Sequence, residues 1–344
     1  MRVGIIGASP DRGWAMRAHI PALRALDDFE LVAVGTSRPE SARQAGEVFG
    51  VPLAFADASE LVRHPEVELV VVTVKVSAHA ELVRQAAAAG KQVYCEWPLA
   101  LSADEAIELE RIAGGVSAFV GLQARYSPGM AFARDEIRAG AIGRITSVRL
   151  SSTRSKGSTE AVPGWTAYTY DQAAGAGLVE VLGGHALDLV EYMAGPIGRL
   201  TGHATIQHPR HVVAETGEPI DVTAPDTFDL IGELGSGAAV SAHLHDGEAG
   251  VPATRLEISG TEGSLVVDSI PAADPSATQL QISEYAVRRD GEPLRIPDRY
   301  RTTADLLPEP ASVARLYQQI ATGNAPTFGA GVRIHRLLQA ALTE

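Results

Sequence analysis

Six short runs in the first 122 residues are apolar almost throughout: Val3–Ile6, Leu31–Val34, Leu53–Phe55, Leu69–Val76, Val93–Cys95 and Ala118–Leu122. They do not alternate apolar with polar side chains, so as strands they must be covered on both faces, the condition of a parallel sheet between helices. The intervening segments read as those helices, and several of their ends are legible. Pro39 suits the first turn of a helix over Pro39–Phe49, Gly90 closes the Ala-rich stretch from His79, and Ser102-Ala103-Asp104-Glu105 has the spacing of a capping box. Six strands with helical crossovers predict a doubly wound nucleotide-binding domain over 1–122.

The pattern changes after Leu122. Helical segments are expected at Ser127–Ala139, Val179–Met193, Ser312–Thr322 and Gly331–Leu342. Strand-like runs at Ile145–Leu150, Phe228–Leu234, Ala238–Leu244, Leu256–Ser259, Leu265–Val267 and Leu280–Glu284 follow one another through short Gly/Ser turns, which predicts an antiparallel sheet. Ser259–Ser264 reads as a hairpin turn within it, and 208–226 and 268–278 read as surface loops. At 344 residues two domains are the natural division, and 123–344 is taken as an α+β domain with a large, mostly antiparallel open sheet.

The formal net charge of −13, without any Lys/Arg block, argues against direct nucleic-acid or anionic-membrane binding and for a small-molecule partner. The single Cys95 excludes an internal disulfide, and no Cys/His spacing suggests a metal site. Leu69–Val76 is far short of the roughly 20 residues a membrane span needs. With no signal peptide legible at Met1–Gly7, the expected location is cytoplasmic.

The first strand leads into Gly7-Ala8-Ser9-Pro10-Asp11-Arg12-Gly13-Trp14 and then a helical stretch. Strand, glycine-bearing loop and helix N-terminus together make an anion site, because backbone N–H groups and the helix dipole converge there. The match to G-x-G-x-x-G is imperfect: Ser9 and Arg12 stand where the second and third glycines belong, so an ordinary strand-to-helix turn stays open as a reading. Gly7, Ser9, Gly13 and Trp14 are the candidate contacts. After the second strand, Thr36-Ser37-Arg38 replaces the acidic residue that binds a ribose 2′-hydroxyl. Two hydroxyls beside an arginine suit a 2′-phosphate, so NADP is expected in preference to NAD, the alternative being a simply solvated Arg38.

Several stretches together resemble the Gfo/Idh/MocA oxidoreductase family over nearly the whole chain: His19-Ile20-Pro21-Ala22-Leu23, His79-Ala80-Glu81, Cys95-Glu96-Trp97-Pro98-Leu99-Ala100, Gly143-Arg144-Ile145, Gly175-Ala176-Gly177, Gly184-His185-Ala186-Leu187-Asp188 and Gly260-Thr261-Glu262-Gly263-Ser264-Leu265. Gly13-Trp14-Ala15-Met16, Lys75-Val76-Ser77-Ala78-His79 and Glu96-Trp97-Pro98-Leu99-Ala100 are similar to the subgroup that includes the yeast galactose-regulon repressor and its bacterial relatives. The resemblance implies an N-terminal Rossmann domain, a second domain whose open sheet often makes oligomer contacts, and a sugar-like substrate above the nicotinamide. It points to Val74, Lys75, His79, Glu96, Trp97 and Gln123 on the cofactor side. Glu96 and His185 carry over from the family pattern, but Trp97 stands where the family has a catalytic lysine and Val181 where it usually has aspartate.

Those replacements matter because moving a hydride from a carbinol carbon also requires moving the hydroxyl proton, a task for which indole and isopropyl groups are unsuited. His185 is the first candidate, with Asp188 one helical turn on to orient it, unless it is merely a packed histidine. Lys75, expected at the carboxyl end of a central strand, and Tyr168 or Tyr170 are the reserves. Arg125 either anchors substrate or pairs with an acid, and Trp165 either stacks on a sugar or packs. Two functions result: a dehydrogenase or reductase acting on a sugar or polyol, or a non-catalytic dinucleotide-binding regulator. A homodimer or homotetramer is expected in either case.

Overall fold

In a computed structural model the described residues are 1–274, 278–301 and 306–343. The chain forms two compact units, one of Met1–Gln123 with Thr303–Arg333, the other of Ala124–Thr302 with Ile334–Glu344. A single cut after residue 122 therefore misses the return of a C-terminal segment to the first unit. The reason is packing: Tyr317 is fully buried against His19, Phe29 and Tyr94.

The first unit is built on six parallel strands, β1 (Arg2–Ile6), β2 (Glu30–Gly35), β3 (Leu53–Phe55), β4 (Leu69–Val72), β5 (Gln92–Glu96) and β6 (Ala118–Gly121), in the spatial order 3-2-1-4-5-6. All four residues of β4 are buried, which explains its unbroken apolar sequence. Between the strands lie α1 (Ile20–Arg24), entered through a π-helical turn at Ala15–His19, then α2 (Pro39–Phe49), α3 (Ala58–Arg63), α4 (His79–Ala88) and α5 (Ala103–Ile112). Helix α2 begins at its proline and ends on Gly50 in the left-handed region, φ 63°. The capping box at α5 forms with one variation: Ser102 accepts from the Glu105 N–H, while the Glu105 carboxylate reaches the N–H of Leu101. Strand β4 is shorter than expected. Its extension to Val76 is corrected because the Thr73 N–H and hydroxyl both donate to the Ile6 carbonyl and the chain then leaves the sheet.

In the second unit, α6 (Pro128–Arg138) and α7 (Gly184–Ala194) pack against an eight-stranded sheet. Its strands are β7 (Ile145–Arg154), β9 (Ile197–Thr205), β12 (Thr227–Leu234), β13 (Ala239–Asp246), β14 (Thr254–Gly260), β15 (Ser264–Ser269), β16 (Tyr285–Arg289) and β17 (Glu292–Leu294), in the order 17-16-15-14-7-13-12-9. Every pairing is antiparallel except β13 with β7. Burial alternates along β7 and β13, so one face is covered and the other exposed. The hairpin turn at Ser259–Ser264 is present, with the Gly260 N–H donating to the Gly263 carbonyl.

Three expectations are corrected. Leu280–Glu284 is not a strand: the Ser283 hydroxyl and N–H both bond the Gln279 carbonyl, closing a turn, and the strand follows it as β16. The 208–226 segment is not all loop, because β10 (Arg210–Val213) pairs with β11 (Pro219–Asp221) and β8 (Ala161–Val162) in a small separate sheet. The expected loop 268–278 begins with the end of β15, and its residues 275–277 lie outside the described residues. The two C-terminal helices start earlier than expected, as α8 (Pro308–Ala321) and α9 (Phe328–Thr343).

Candidate functional site

The loop after β1 is fixed at its start and open at its end. Gly7 and Ala8 both donate to the Gly35 carbonyl, and a Cβ on Gly7 would lie 2.7 Å from Thr73 Oγ1 and 2.9 Å from Val74 Cγ1. Its φ of +100° adds a second reason for glycine. Gly13, at φ +95°, has nothing within 4 Å of where a Cβ would stand, and it immediately precedes Trp14 at the helix entry, whose first-turn N–H groups have no intrahelical acceptor. Ser9 donates 2.6 Å to Asp11, which holds that exposed carboxyl below the usual range, with smaller help from Arg12 and Arg38. Thus the exposed Arg38 and Ser37 share their end of the loop with a second arginine and a carboxylate, neither of which the sequence reading used. The Thr36 hydroxyl is committed locally to Ser41 and to the Arg38 carbonyl.

At the carboxyl ends of β4 and β5 the side chains are held by hydrogen bonds. His79, 1% exposed, donates from Nε2 to the Val74 carbonyl at 3.0 Å, and burial lowers its pKa so that the ring stays neutral. Glu96 meets His19 Nε2 at 3.1 Å, and His19 Nδ1 lies 2.8 Å from the Tyr317 hydroxyl. A neutral ring satisfies both contacts with Nε2–H donating to the carboxylate and Nδ1 accepting from Tyr317. His19 and Tyr317 are both fully buried, and burial pushes the Tyr317 phenol far up. Gly121 makes room for this arrangement, since a Cβ there would stand 2.8 Å from the Glu96 carboxyl. Trp97 is buried and is followed by a cis Trp97–Pro98 bond. Lys75 is exposed, on the connection beyond the shortened β4 rather than at a strand end. Trp14 Nε1 and Gln123 Oε1 are buried polar atoms without a partner, and with the open Gly13 loop they fit a polar, phosphate-bearing ligand.

The second unit contains a separate polar cluster. Arg125 Nε donates to Asp188 Oδ2 at 2.7 Å and its Nη2 to Oδ1, a bidentate pair that drives the guanidinium pKa higher still against the opposing effect of burial. The role of Asp188 as orienter of His185 is therefore corrected, and of the two readings of Arg125 the ion pair is the one present. His185 is 3% exposed with Nδ1 unpartnered, and burial, aided by the Arg154 guanidinium, pushes its pKa down to about 3. Its ring is therefore held neutral near pH 7. Trp165 is 64% exposed, and Tyr168 is half-buried with its phenol pushed up by burial.

The register of β7 on β13 places Arg154 opposite Asp246, and the two form a buried bidentate pair at 2.6 and 2.8 Å. Lys156 Nζ lies 3.9 Å from Asp246 Oδ2 and 4.9 Å from the centre of the Tyr170 ring. Together with His211 these groups line a small pocket with room for about one water. His211 is 3% exposed, its ring 4.7 Å from that of Tyr170, and its Nδ1 has no partner. Glu180, on the π-helical turn Val179–Gly183, has its pKa raised by burial and is within electrostatic reach of Lys156. Sequence reasoning passed over Lys156, Glu180 and His211. Among the described residues no cluster of three or more His, Cys, Asp or Glu is arranged for a metal ion, and no helix is long and apolar enough to cross a membrane.

Residues 1–122 match the oxidoreductase family with an NAD-binding Rossmann fold, and residues 130–266 match the Gfo/Idh/MocA C-terminal domain. The dehydrogenase aclE of Aspergillus oryzae is 30% identical over 285 residues, 78% of this chain and 76% of the relative. The galactose/lactose metabolism regulatory protein GAL80 of Kluyveromyces lactis is 27% identical over 78% of this chain and 64% of its own length. A levoglucosan dehydrogenase solved with NADH and L-sorbose shares the fold, with a TM-score of 0.84 over 99% of this chain and 95% of that one at 22% identity. With its paired domain matches, its 3-2-1-4-5-6 sheet and its open glycine loop, the chain belongs to the Gfo/Idh/MocA family of NAD-binding oxidoreductases.

Proposed function

We propose that the protein is a nicotinamide-dinucleotide-dependent oxidoreductase that moves a hydride to or from a sugar or polyol-like substrate, with NADP preferred over NAD. The observation that carries the reading is the polar cradle of the first unit, in which an open Gly13 loop coexists with partnerless buried atoms on Trp14 and Gln123. A dinucleotide bound there supplies the hydride acceptor or donor. The loop from Gly7 to Trp14 offers backbone N–H groups and a helix dipole to the pyrophosphate, and Glu96, oriented by His19 and Tyr317, accepts from a ribose hydroxyl. Arg38 and Arg12 are the donors for a 2′-phosphate, with Asp11 acting against them. The second unit is proposed to bind substrate and to carry the oligomer contacts of a dimer or tetramer. The exposed sheet face, where Ile231 is 67% exposed, supports the latter, and the single buried Cys95 suits a cytoplasmic location.

The regulator remains a second reading on one observation, that Trp97 and Val181 remove the proton-handling groups of the family pattern, as suits a relative of GAL80. Titration with NADPH and NADH followed by a panel of keto-sugars and polyols separates the two. Turnover supports the oxidoreductase, binding without turnover across the panel favours the regulator, and no binding of either dinucleotide removes both. Arg38→Ala is expected to weaken NADPH binding about tenfold and NADH binding far less. Equal weakening would contradict the 2′-phosphate assignment.

A further inference from the structure

The chain is acidic overall, yet three arginines of the second unit line one cavity of about 420 Å³. Helix α6 packs on α7 and carries Arg134 and Arg138, which are four residues apart and therefore share a face. Arg125 stands just ahead of α6, and the last turn of α7 contributes Glu191 and Tyr192. A space of this size holds a sugar-sized molecule rather than a few waters.

The protein positions these guanidiniums without using up their donors. Arg125 gives Nε and Nη2 to Asp188. Arg134 donates from Nε to the Tyr192 carbonyl at 3.0 Å, in the last turn of α7, where carbonyls lack intrahelical donors. Its guanidinium lies 3.7 Å from the centre of the Tyr192 ring, and that of Arg125 lies 5.2 Å from it. Stacking fixes the Arg134 plane and leaves both Nη groups along its open edge. Arg138 is exposed, and among the described residues neither it nor Arg134 has a carboxylate partner. Capping of α7 accounts for Arg134 Nε, but not for that Nη edge or for Arg138.

We propose that this cavity binds the phosphate group of a small phosphorylated molecule. Set against the three guanidiniums are Asp188, committed to Arg125, and Glu191, whose Oε1 accepts from the Ile197 N–H at 2.8 Å, so one positive charge has no counterpart. The like charges act on one another: burial lowers the Arg134 pKa, and Arg138 and Arg125 add to the fall while Tyr192 opposes it. An anion among them offsets that repulsion and takes charge-assisted hydrogen bonds from guanidinium edges already held in position. Donors reaching the cavity from α6 and from the segment before it suit a tetrahedral group, whose oxygens accept from several directions, better than a planar carboxylate. The site requires neither a dinucleotide nor hydride transfer, so it stands apart from the oxidoreductase reading.

The test is calorimetric titration of the full chain, with and without NADPH, using inorganic phosphate and glucose 6-phosphate as probes. Gluconate and glucose serve as the carboxylate and neutral controls. Both phosphates should bind, and each control should bind at least about tenfold more weakly than glucose 6-phosphate. Arg138→Gln removes an exposed charge and should weaken both phosphates about tenfold, with thermal unfolding as the check on folding. Arg134→Lys keeps the charge, loses the fork, and should weaken them by a similar factor; if it fails to fold, Arg138→Gln carries the test alone. Absence of binding by either phosphate, a control that binds as tightly as glucose 6-phosphate, or unchanged affinity in Arg138→Gln overturns the assignment. So does a phosphate signal that NADPH abolishes and both arginine variants retain, which would place the anion in the loop after β1.

Discussion

The His19 cluster of the first unit is satisfied and the histidine cluster of the second is not, although the first unit also keeps partnerless buried atoms on Trp14, His79 and Gln123. In the first, His19 uses both ring nitrogens, one on Glu96 and one on Tyr317, and Gly121 leaves space for the carboxyl. In the second, His185 and His211 each keep a buried nitrogen without a partner, and Lys156 sits beside an aspartate already committed to Arg154. Buried polar groups are normally paired, so the satisfied His19 network reads as a fixed orienting device, and the partnerless atoms of either unit as places where a polar ligand or water completes the bonding.

The contrast breaks first at its ion pairs. Asp246→Ala strands the buried Arg154 guanidinium and should cost about 3–5 kcal/mol in urea unfolding. A loss below 1 kcal/mol would mean that Arg154 finds other partners. The next effect is acid sensitivity. His185 has a folded-state pKa near 3, far below its unfolded value, so between the two the unfolded chain binds more protons and stability rises with pH. His185 alone should therefore cost up to about 1.4 kcal/mol per pH unit as pH falls from 6 to 4. His185→Leu should remove that part of the slope and keep the contributions of His335, whose pKa burial pushes down to about 4, and of His79, which burial also lowers. An unchanged slope would show that His185 is not the group responsible. The smallest effect lies in the satisfied cluster: Tyr317→Phe keeps the ring and loses one hydrogen bond, about 0.5–1.5 kcal/mol. Its effect on NADPH affinity should disappear in a Glu96→Ala background, and additive losses would uncouple Tyr317 from the carboxylate.

The parallel sheet was legible because burial on both faces leaves an unbroken apolar run, and α2 because a proline and a glycine mark its ends. Strand β9 was not, since Gly198 and Gly202 interrupt its pattern. Gly202 is required there because a Cβ would stand 2.7 Å from the Phe228 ring. Strands of two to four residues, such as β8, β10 and β11, are too short to show a period. At the candidate site, local spacing paired Asp188 with His185, but the Arg125 fork, 63 residues away in sequence, takes both carboxylate oxygens. The partnership of His19 with Tyr317 spans 298 residues and leaves no local trace.

The discontinuity of the first unit has a bearing on synthesis. A ribosome delivers the six parallel strands early, yet Tyr317 emerges only after the entire second unit up to residue 302 has been made. Until then His19 can meet Glu96 but has no phenol for its second ring nitrogen. The second hydrogen bond of the His19 ring, and the burial of Tyr317 against Phe29 and Tyr94, are thereby deferred until residue 317 has been delivered.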